Sequence, residues 1–143
     1  MCSVKRSHLD TVRAYWDASA TGDYATAGGC IALDGSYESI DHHKGVTYRT
    51  MEELLEAKAE DDAWSDRTFD ITNAMETTDG ALVVQATISG TLNGYWCHLT
   101  GTGQHVTFDA CVIFRFNDEG IIVLEEHYSD ALTVMKQLEA DGA

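Results

Sequence analysis

Apolar residues at the start of the chain recur at helical spacing (Leu9, Val12, Tyr15 and Trp16), and the run closes at Gly22-Asp23. This spacing predicts a first helix over about Ser7 to Ala20, continued by a short second one through Tyr24 to Ile31. Ser36 to Ile40 reads as a short extended piece and Asp41-His-His-Lys-Gly45 as a turn. Thr50 with Glu53 three residues on forms a capping box, which starts a helix from Met51 to about Asp61. From Arg67 the period changes to two. Strands are predicted over Thr68 to Met75, Leu82 to Leu92, Val106 to Phe116 and Ile121 to Tyr128, separated by Thr-Asp-Gly, an Asn-Gly-containing loop and Asn-Asp-Glu-Gly. A short helix follows from Ala131. Helices first and strands afterwards imply an α+β fold, a single domain over residues 1–143 in which one curved antiparallel sheet wraps against the N-terminal helices. Such a sheet leaves a cone-shaped cavity at its open end.

Alternation sorts the residues that could line that cavity. Ala110, Val112, Phe114 and Phe116 share one face of the third long strand, opposite Asp109, Cys111, Ile113 and Arg115. On the last strand Val123, Glu125, His127 and Ser129 oppose Leu124, Glu126 and Tyr128. Both sets are mixed, so the pattern leaves open which one faces inward. The strand nevertheless ends in a titratable cluster, His127-Tyr-Ser-Asp130, immediately before a helical pattern, and chemistry is expected there first.

Composition narrows the function classes. With 143 residues, 44% of them hydrophobic, the chain suits one core. It has no run of eighteen apolar residues, and the basic Lys5-Arg6 near its start are not followed by an apolar segment, so no membrane association is expected and a cytoplasmic location is. The formal charge of −15, from 24 acidic and 9 basic residues, repels phosphate backbones and argues against nucleic acid as a partner. Cys2, Cys30, Cys97 and Cys111 are widely spaced without a zinc-site pattern and are expected to be free, packed thiols. A metal is not expected at Asp41-His42-His43 either, since no further ligand spacing supports one.

Two motifs carry a resemblance. Val12-Arg-Ala-Tyr-Trp-Asp-Ala-Ser-Ala-Thr-Gly22-Asp23-Tyr24 is similar to a first helix ending in Gly-Asp, and Phe114-Arg-Phe-Asn-Asp-Glu-Gly-Ile-Ile is similar to a Phe-Arg-x-x-Asp-Gly-Lys-Ile hairpin. Glu126-His-Tyr-Ser-Asp130 and Met135-Lys-Gln-Leu138 continue the match. The chain thus resembles the nuclear transport factor 2-like superfamily, and within it the SnoaL-like branch of polyketide cyclases. The resemblance implies a cone-shaped sheet around N-terminal helices, a small hydrophobic ligand, no cofactor, and homodimerisation through the outer face of the sheet.

The resemblance also shows where this chain departs. His127 falls where the cyclases and the limonene-epoxide-hydrolase type carry a catalytic aspartate. The Arg and second Asp of the latter have no counterpart in Gln85-Ala-Thr-Ile-Ser-Gly90. Of the three positions that ketosteroid isomerases use, Tyr15 matches, while the other two look like Ser39 and Val112. Fungal meroterpenoid isomerases pair a late histidine with a glutamate, which His127 and Glu60 resemble.

The expectation is a cofactor-independent enzyme acting on a small carbonyl-bearing, polyketide- or terpenoid-like molecule by acid/base cyclisation, isomerisation or dehydration. His127 is the expected base or acid, an imidazole being able to exchange protons near neutral pH. Asp130 or Glu60 is expected to orient it, Asp130 serving also as a helix N-cap. Tyr15 is expected to polarise a substrate oxygen. Trp16, Trp64, Val112, Phe114 and Phe116 are expected to form the substrate wall, with Trp96 covering the cavity or marking a dimer contact. The rival readings are a non-catalytic binding or scaffold protein of the same fold and, third, an epoxide hydrolase.

Overall fold

The structure, a computed structural model, describes residues 7–50, 52–54, 56–57 and 62–141. Helix α1 (His8–Thr21) is capped by Ser7, whose side chain accepts the Asp10 N–H at 3.1 Å, and it stops at Gly22, whose φ of 79° ends the helix in the left-handed region. Helix α2 (Tyr24–Gly28) is shorter than its pattern suggests. Residues 30–32 leave the helix to run alongside the last strand, where the Ile122 N–H donates to the Cys30 carbonyl and the Ala32 N–H to the Ile122 carbonyl. The capping box forms in part. Thr50 Oγ1 accepts the Glu53 N–H at 3.1 Å, while the Glu53 carboxylate reaches back one residue further, to the Arg49 N–H. Residues 52–54 and 56–57 are helical as expected.

Six strands form one sheet in the order β2-β1-β6-β5-β4-β3. They are β1 (Glu38–Asp41), β2 (Val46–Tyr48), β3 (Trp64–Glu76), β4 (Leu82–Trp96), β5 (Leu99–Phe116) and β6 (Ile122–Ser129), with helix α3 (Ala131–Asp141) closing the chain. The expected meander is β3 to β6. The sheet is not antiparallel throughout, because the β1-β2 hairpin adds to the free side of β6 with β1 parallel to it, pairing Ser39 with Glu125 and Asp41 with His127. β4 and β5 also run past the expected Asn-Gly loop. The reversal comes at Cys97-His98, both in the left-handed region at φ 48° and 67°, which is the two-residue turn that matches strand twist. Asn93-Gly94 sits instead at a register shift within the ribbon.

A second irregularity lies opposite, on β3. Between the pairs Ser65↔Thr91 and Thr68↔Ser89 the chain advances three residues on β3 and two on β4, so β3 carries one extra residue, and Asp66 adopts φ 54°. The bulge presses on β4 at Gly90. A Cβ there would stand 3.0 Å from the Trp64 ring and 3.2 Å from both the Arg67 Cα and the Ser65 carbonyl oxygen. Only glycine admits the bulge at this distance.

Two apolar clusters hold the layers together. One joins Val12, Tyr15 and Trp16 of α1 to Val84, Val112, Phe114 and Ile122 of the sheet. The other joins Trp64, Trp96, Val106 and Phe108 to Val134 and Leu138 of α3. Cys30 and Cys97 are buried thiols in these clusters, Cys111 is a partly buried one on the outer face, and Cys2 lies outside the described residues. Among the described residues no helix is long and apolar enough to cross a membrane. Phe114 has no exposed surface and packs edge-on against Trp16. Phe114→Ala should therefore cost about 3–5 kcal/mol in urea denaturation.

Candidate active site

Between the two clusters lies a cavity of about 190 Å³ whose wall takes residues from both: Tyr15 and Trp16 from one side, Trp64, Trp96 and Phe108 from the other. Its floor comes from β1 and β6. Ser39 and Asp41 stand beside Glu125 and His127 in the parallel ladder, and all four face inward with Ser129. This settles which face of β6 is concave. Tyr128 points the other way and is exposed. The volume is below the roughly 300–1,000 Å³ of drug-sized sites, so the enclosed part suits a ligand of about one ring.

The centre of the site is Glu125, 3% exposed and placed by strand alternation on the same face as His127. Its Oε1 lies 2.6 Å from His127 Nε2, and its Oε2 accepts the Tyr37 hydroxyl at 2.7 Å. Tyr37 is itself 1% exposed, and its hydroxyl lies 3.4 Å from that of Tyr15. A phenol has one proton, and Tyr37 gives its own to the carboxylate, so Tyr15 is left to donate within the same group, to Tyr37 or to Glu125. Burial by itself would raise the Glu125 carboxyl. The charge that His127 carries when protonated, its hydrogen bond and the two phenols outweigh this and hold Glu125 below the ordinary carboxyl range. The phenols move the opposite way. Burial first, then the neighbouring Glu125 charge, pushes Tyr15 and Tyr37 well above the ordinary phenol value, so both remain donors.

This arrangement redistributes the roles expected from sequence. His127 lines the cavity. Asp130 does not orient it, because its two carboxylate oxygens accept the Thr133 N–H at 3.1 Å and the Thr133 hydroxyl at 2.6 Å as the cap of α3. Those bonds hold its carboxyl below the usual range. Glu60, the other expected partner, lies outside the described residues, as does Asp61. Tyr15 is at the wall as expected, with its hydroxyl beside that of Tyr37 and within the same hydrogen-bonded group as Glu125. Trp16 and Trp64 line the cavity as expected, and Trp96 does so too. Val112 and Phe114 do not, being sealed in the core beneath, and Phe116 stacks at the sheet end on His8, ring centroids 3.9 Å apart.

Other residues of the site, one of them buried behind the wall, had no local signal in the sequence. Tyr37 reaches Glu125 across 88 positions, and Lys44 and Arg67 enter from a turn and from the bulged strand. A period-two reading of β6 could have raised Glu125 above a neighbour's role, since a carboxylate on the inward face of a buried strand demands partners. Arg67 is re-aimed by the bulge and lies over Phe69, its Cζ 5.1 Å from the ring centroid. Trp64 presents a buried indole N–H without an acceptor among the described residues. Asp41, His42 and His43 do not converge. Asp41 Oδ1 accepts the His43 and Lys44 N–H groups, His42 stacks on Tyr128 and bonds Glu126, and His43 packs on Trp96. No group of three His, Cys, Asp or Glu side chains among the described residues could hold a metal ion.

The Glu125 arrangement links stability to pH. Its folded-state carboxyl is held below the ordinary value of 4.5, so the stabilisation is complete above that value and is lost as pH falls through the lower, folded one. Glu125→Gln should be destabilised by about 3 kcal/mol at pH 7. Urea melts of both proteins should begin to converge as pH falls below about 4.5 and meet only beneath the lower, folded value, and a gap that stays constant into acid would contradict the lowered carboxyl.

Comparison with known proteins places this geometry. The model of the SnoaL-like polyketide cyclase family matches residues 9–138. No curated protein sequence matches. Among solved structures, a candidate SnoaL-like polyketide cyclase from Jannaschia sp. CCS1 is 21% identical with a TM-score of 0.78, covering 96% of this chain and 99% of its own. IdmH, a candidate polyketide cyclase from Streptomyces antibioticus, is 22% identical with a TM-score of 0.77, covering 94% and 99%. AclR, a candidate hydroxylase from Streptomyces galilaeus, is 15% identical with a TM-score of 0.73, covering 92% and 84%. At such identities the structural likeness establishes the fold, which is nuclear transport factor 2-like, and leaves the chemistry to the site. With the family model spanning nearly the whole sequence, the chain belongs to the SnoaL-like polyketide cyclase family.

Proposed function

We propose that this protein abstracts a proton next to a carbonyl in a small, largely hydrophobic substrate, and that the resulting enolate cyclises or isomerises. One observation carries the reading. His127 Nε2 lies 2.6 Å from a buried carboxylate that is itself held by Tyr37, at the wall of an aromatic-lined cavity. Glu125 engages Nε2 and so favours the tautomer with its proton there, which makes Nδ1 the basic nitrogen. In the neutral form His127 takes the substrate proton at Nδ1, the C–H electron pair moves into the carbonyl, and an enolate forms. Attack of the enolate carbon on a second carbonyl closes a carbon–carbon bond, and the imidazolium returns its proton to the new alkoxide. Glu125 stabilises the imidazolium in between, acting as a positioning residue. Tyr15 and Tyr37 hold Glu125, and Ser39 and Ser129 supply cavity hydroxyls beside it.

The rival binding reading would be favoured by a cavity filled with its own side chains or by a histidine turned away. Here the space is open and His127 lines it. Epoxide opening is met only in composition. Arg67 and Asp41 do line the cavity, but Asp41 Oδ1 already accepts two backbone N–H groups and Glu125 is engaged by Tyr37 and His127.

The test uses phenylacetone in D2O and follows deuterium incorporation next to its carbonyl by proton NMR. The wild type should accelerate exchange over buffer, and His127→Ala should lose about a hundredfold or more of that rate while keeping its circular dichroism and melting temperature. Asp130→Asn should exchange like wild type. A folded His127→Ala protein with undiminished exchange would remove the proposal.

A further inference from the structure

We propose that Tyr37 is a positioning residue that sets the basicity of His127 from behind the cavity wall. By donating to Glu125 it weakens the hold of the carboxylate on an imidazolium proton, and so leaves His127 neutral and able to act as a base near neutral pH. The inference deepens the proton-abstraction reading by naming what tunes its base, and rests on that reading only for the consequence on rate.

The first observation is how the two oxygens of Glu125 are divided. Oε1 lies 2.6 Å from His127 Nε2 and Oε2 accepts the Tyr37 hydroxyl at 2.7 Å, with the carboxylate 3% exposed and the phenol 1%. At such burial solvent does little to spread the carboxylate charge, and the phenol does it instead. Tyr15, its hydroxyl 3.4 Å from that of Tyr37, belongs to the same group. Burial keeps both phenols in the protonated, donating form.

The second observation is an asymmetry between charge states. With His127 neutral the pair is an anion, and with the imidazole protonated it is a neutral ion pair. A phenol stabilises the anion more, because its hydrogen bond is stronger to a carboxylate whose charge is not already met. It therefore lowers the proton affinity of the pair as a whole. Removing the hydroxyl should raise the pH at which the imidazole loses its charge.

The third observation is placement. Tyr37 immediately precedes β1, whose Ser39 and Asp41 pair with Glu125 and His127, so docking of the hairpin delivers the phenol to the carboxylate. Its side chain lies behind the wall rather than in it. Besides Glu125, the titratable groups that line the cavity with His127 are Asp41 on β1, Lys44 in the turn, Tyr48 on β2, Tyr15 on α1 and Arg67 on β3. All of these are retained when Tyr37 is altered, so a changed titration of His127 reports the phenol.

The His127 ring is followed by NMR of the full chain carrying labelled histidine, between about pH 5 and 9, and assigned with His127→Ala. Tyr37→Phe should raise the His127 midpoint by about one pH unit, and Tyr15→Phe by less. Tyr37→3-fluorotyrosine, close in shape and a stronger donor, should lower it. In phenylacetone exchange Tyr37→Phe should lose about threefold to tenfold on the acid side of its raised midpoint and regain at least the wild-type rate above it, whereas a merely structural role would lose rate at every pH. An unmoved midpoint in either folded Tyr37 variant, or a shift of the same sign in both, would overturn the inference. Where Tyr37→Phe does not fold, the fluorinated protein decides alone. Shifts of opposite sign without His127-dependent exchange would leave the tuning standing and remove the proton-abstraction reading. Exchange with unmoved midpoints would do the reverse.

Discussion

Removing the Glu125 carboxylate from water is the constraint around which this molecule is arranged. An ionised carboxylate at 3% exposure is tenable only if charge and donors meet it on several sides. They come from distant parts of the chain. His127 follows on the same strand, Tyr37 comes from the segment before β1, and Tyr15 comes from α1. The helix layer, the added hairpin and the meander therefore meet at one side chain. The same bonds that make the burial tolerable orient the imidazole, so stability and the geometry of the site share one set of contacts.

The cavity exists because the two apolar clusters do not merge. Trp16 on one side and Trp64, Trp96 and Phe108 on the other leave a gap over β6, and the polar floor of Ser39, Asp41, Glu125 and His127 prevents its collapse. Along the inward face of β6 the carboxylate of Glu125 stands two residues before His127, and the imidazole lines the cavity beside it.

Much of the fold was legible in the sequence because its signals are local. The helical spacing of Leu9 to Trp16, the glycine turns and the alternation of β4 to β6 each depend on neighbours within a few residues. What stayed hidden depends on partners far away. The parallel pairing of β1 with β6 has no periodic signature, and the Cys97-His98 reversal lacked the usual glycine and competed with a nearby Asn-Gly. Within the site, His127 was found from its position in the last strand, Trp16 and Trp64 from aromatic spacing. Of the two roles expected of Asp130, the structure shows the local one, its carboxylate capping α3 through Thr133. Phe114 and Val112 share the inward face with His127 but lie where α1 covers the sheet, a depth that alternation does not encode. Arg67 was invisible because a bulge changes the phase of every residue before it.

The bond between Tyr37 and Glu125 spans 88 residues, whereas β4 and β5 are joined by a turn of two. Loop-closure entropy rises with the length enclosed, by about 0.6 kcal/mol per doubling, and distant pairings form after local ones. The ribbon of β4 and β5 is thus the natural early structure on the folding route, and docking of β1 against β6 the late one. Until that docking is complete Glu125 remains hydrated and His127 lacks its fixed partner. Chains still folding would consequently carry an unassembled site, which would be completed only with the last long-range closure of the polypeptide.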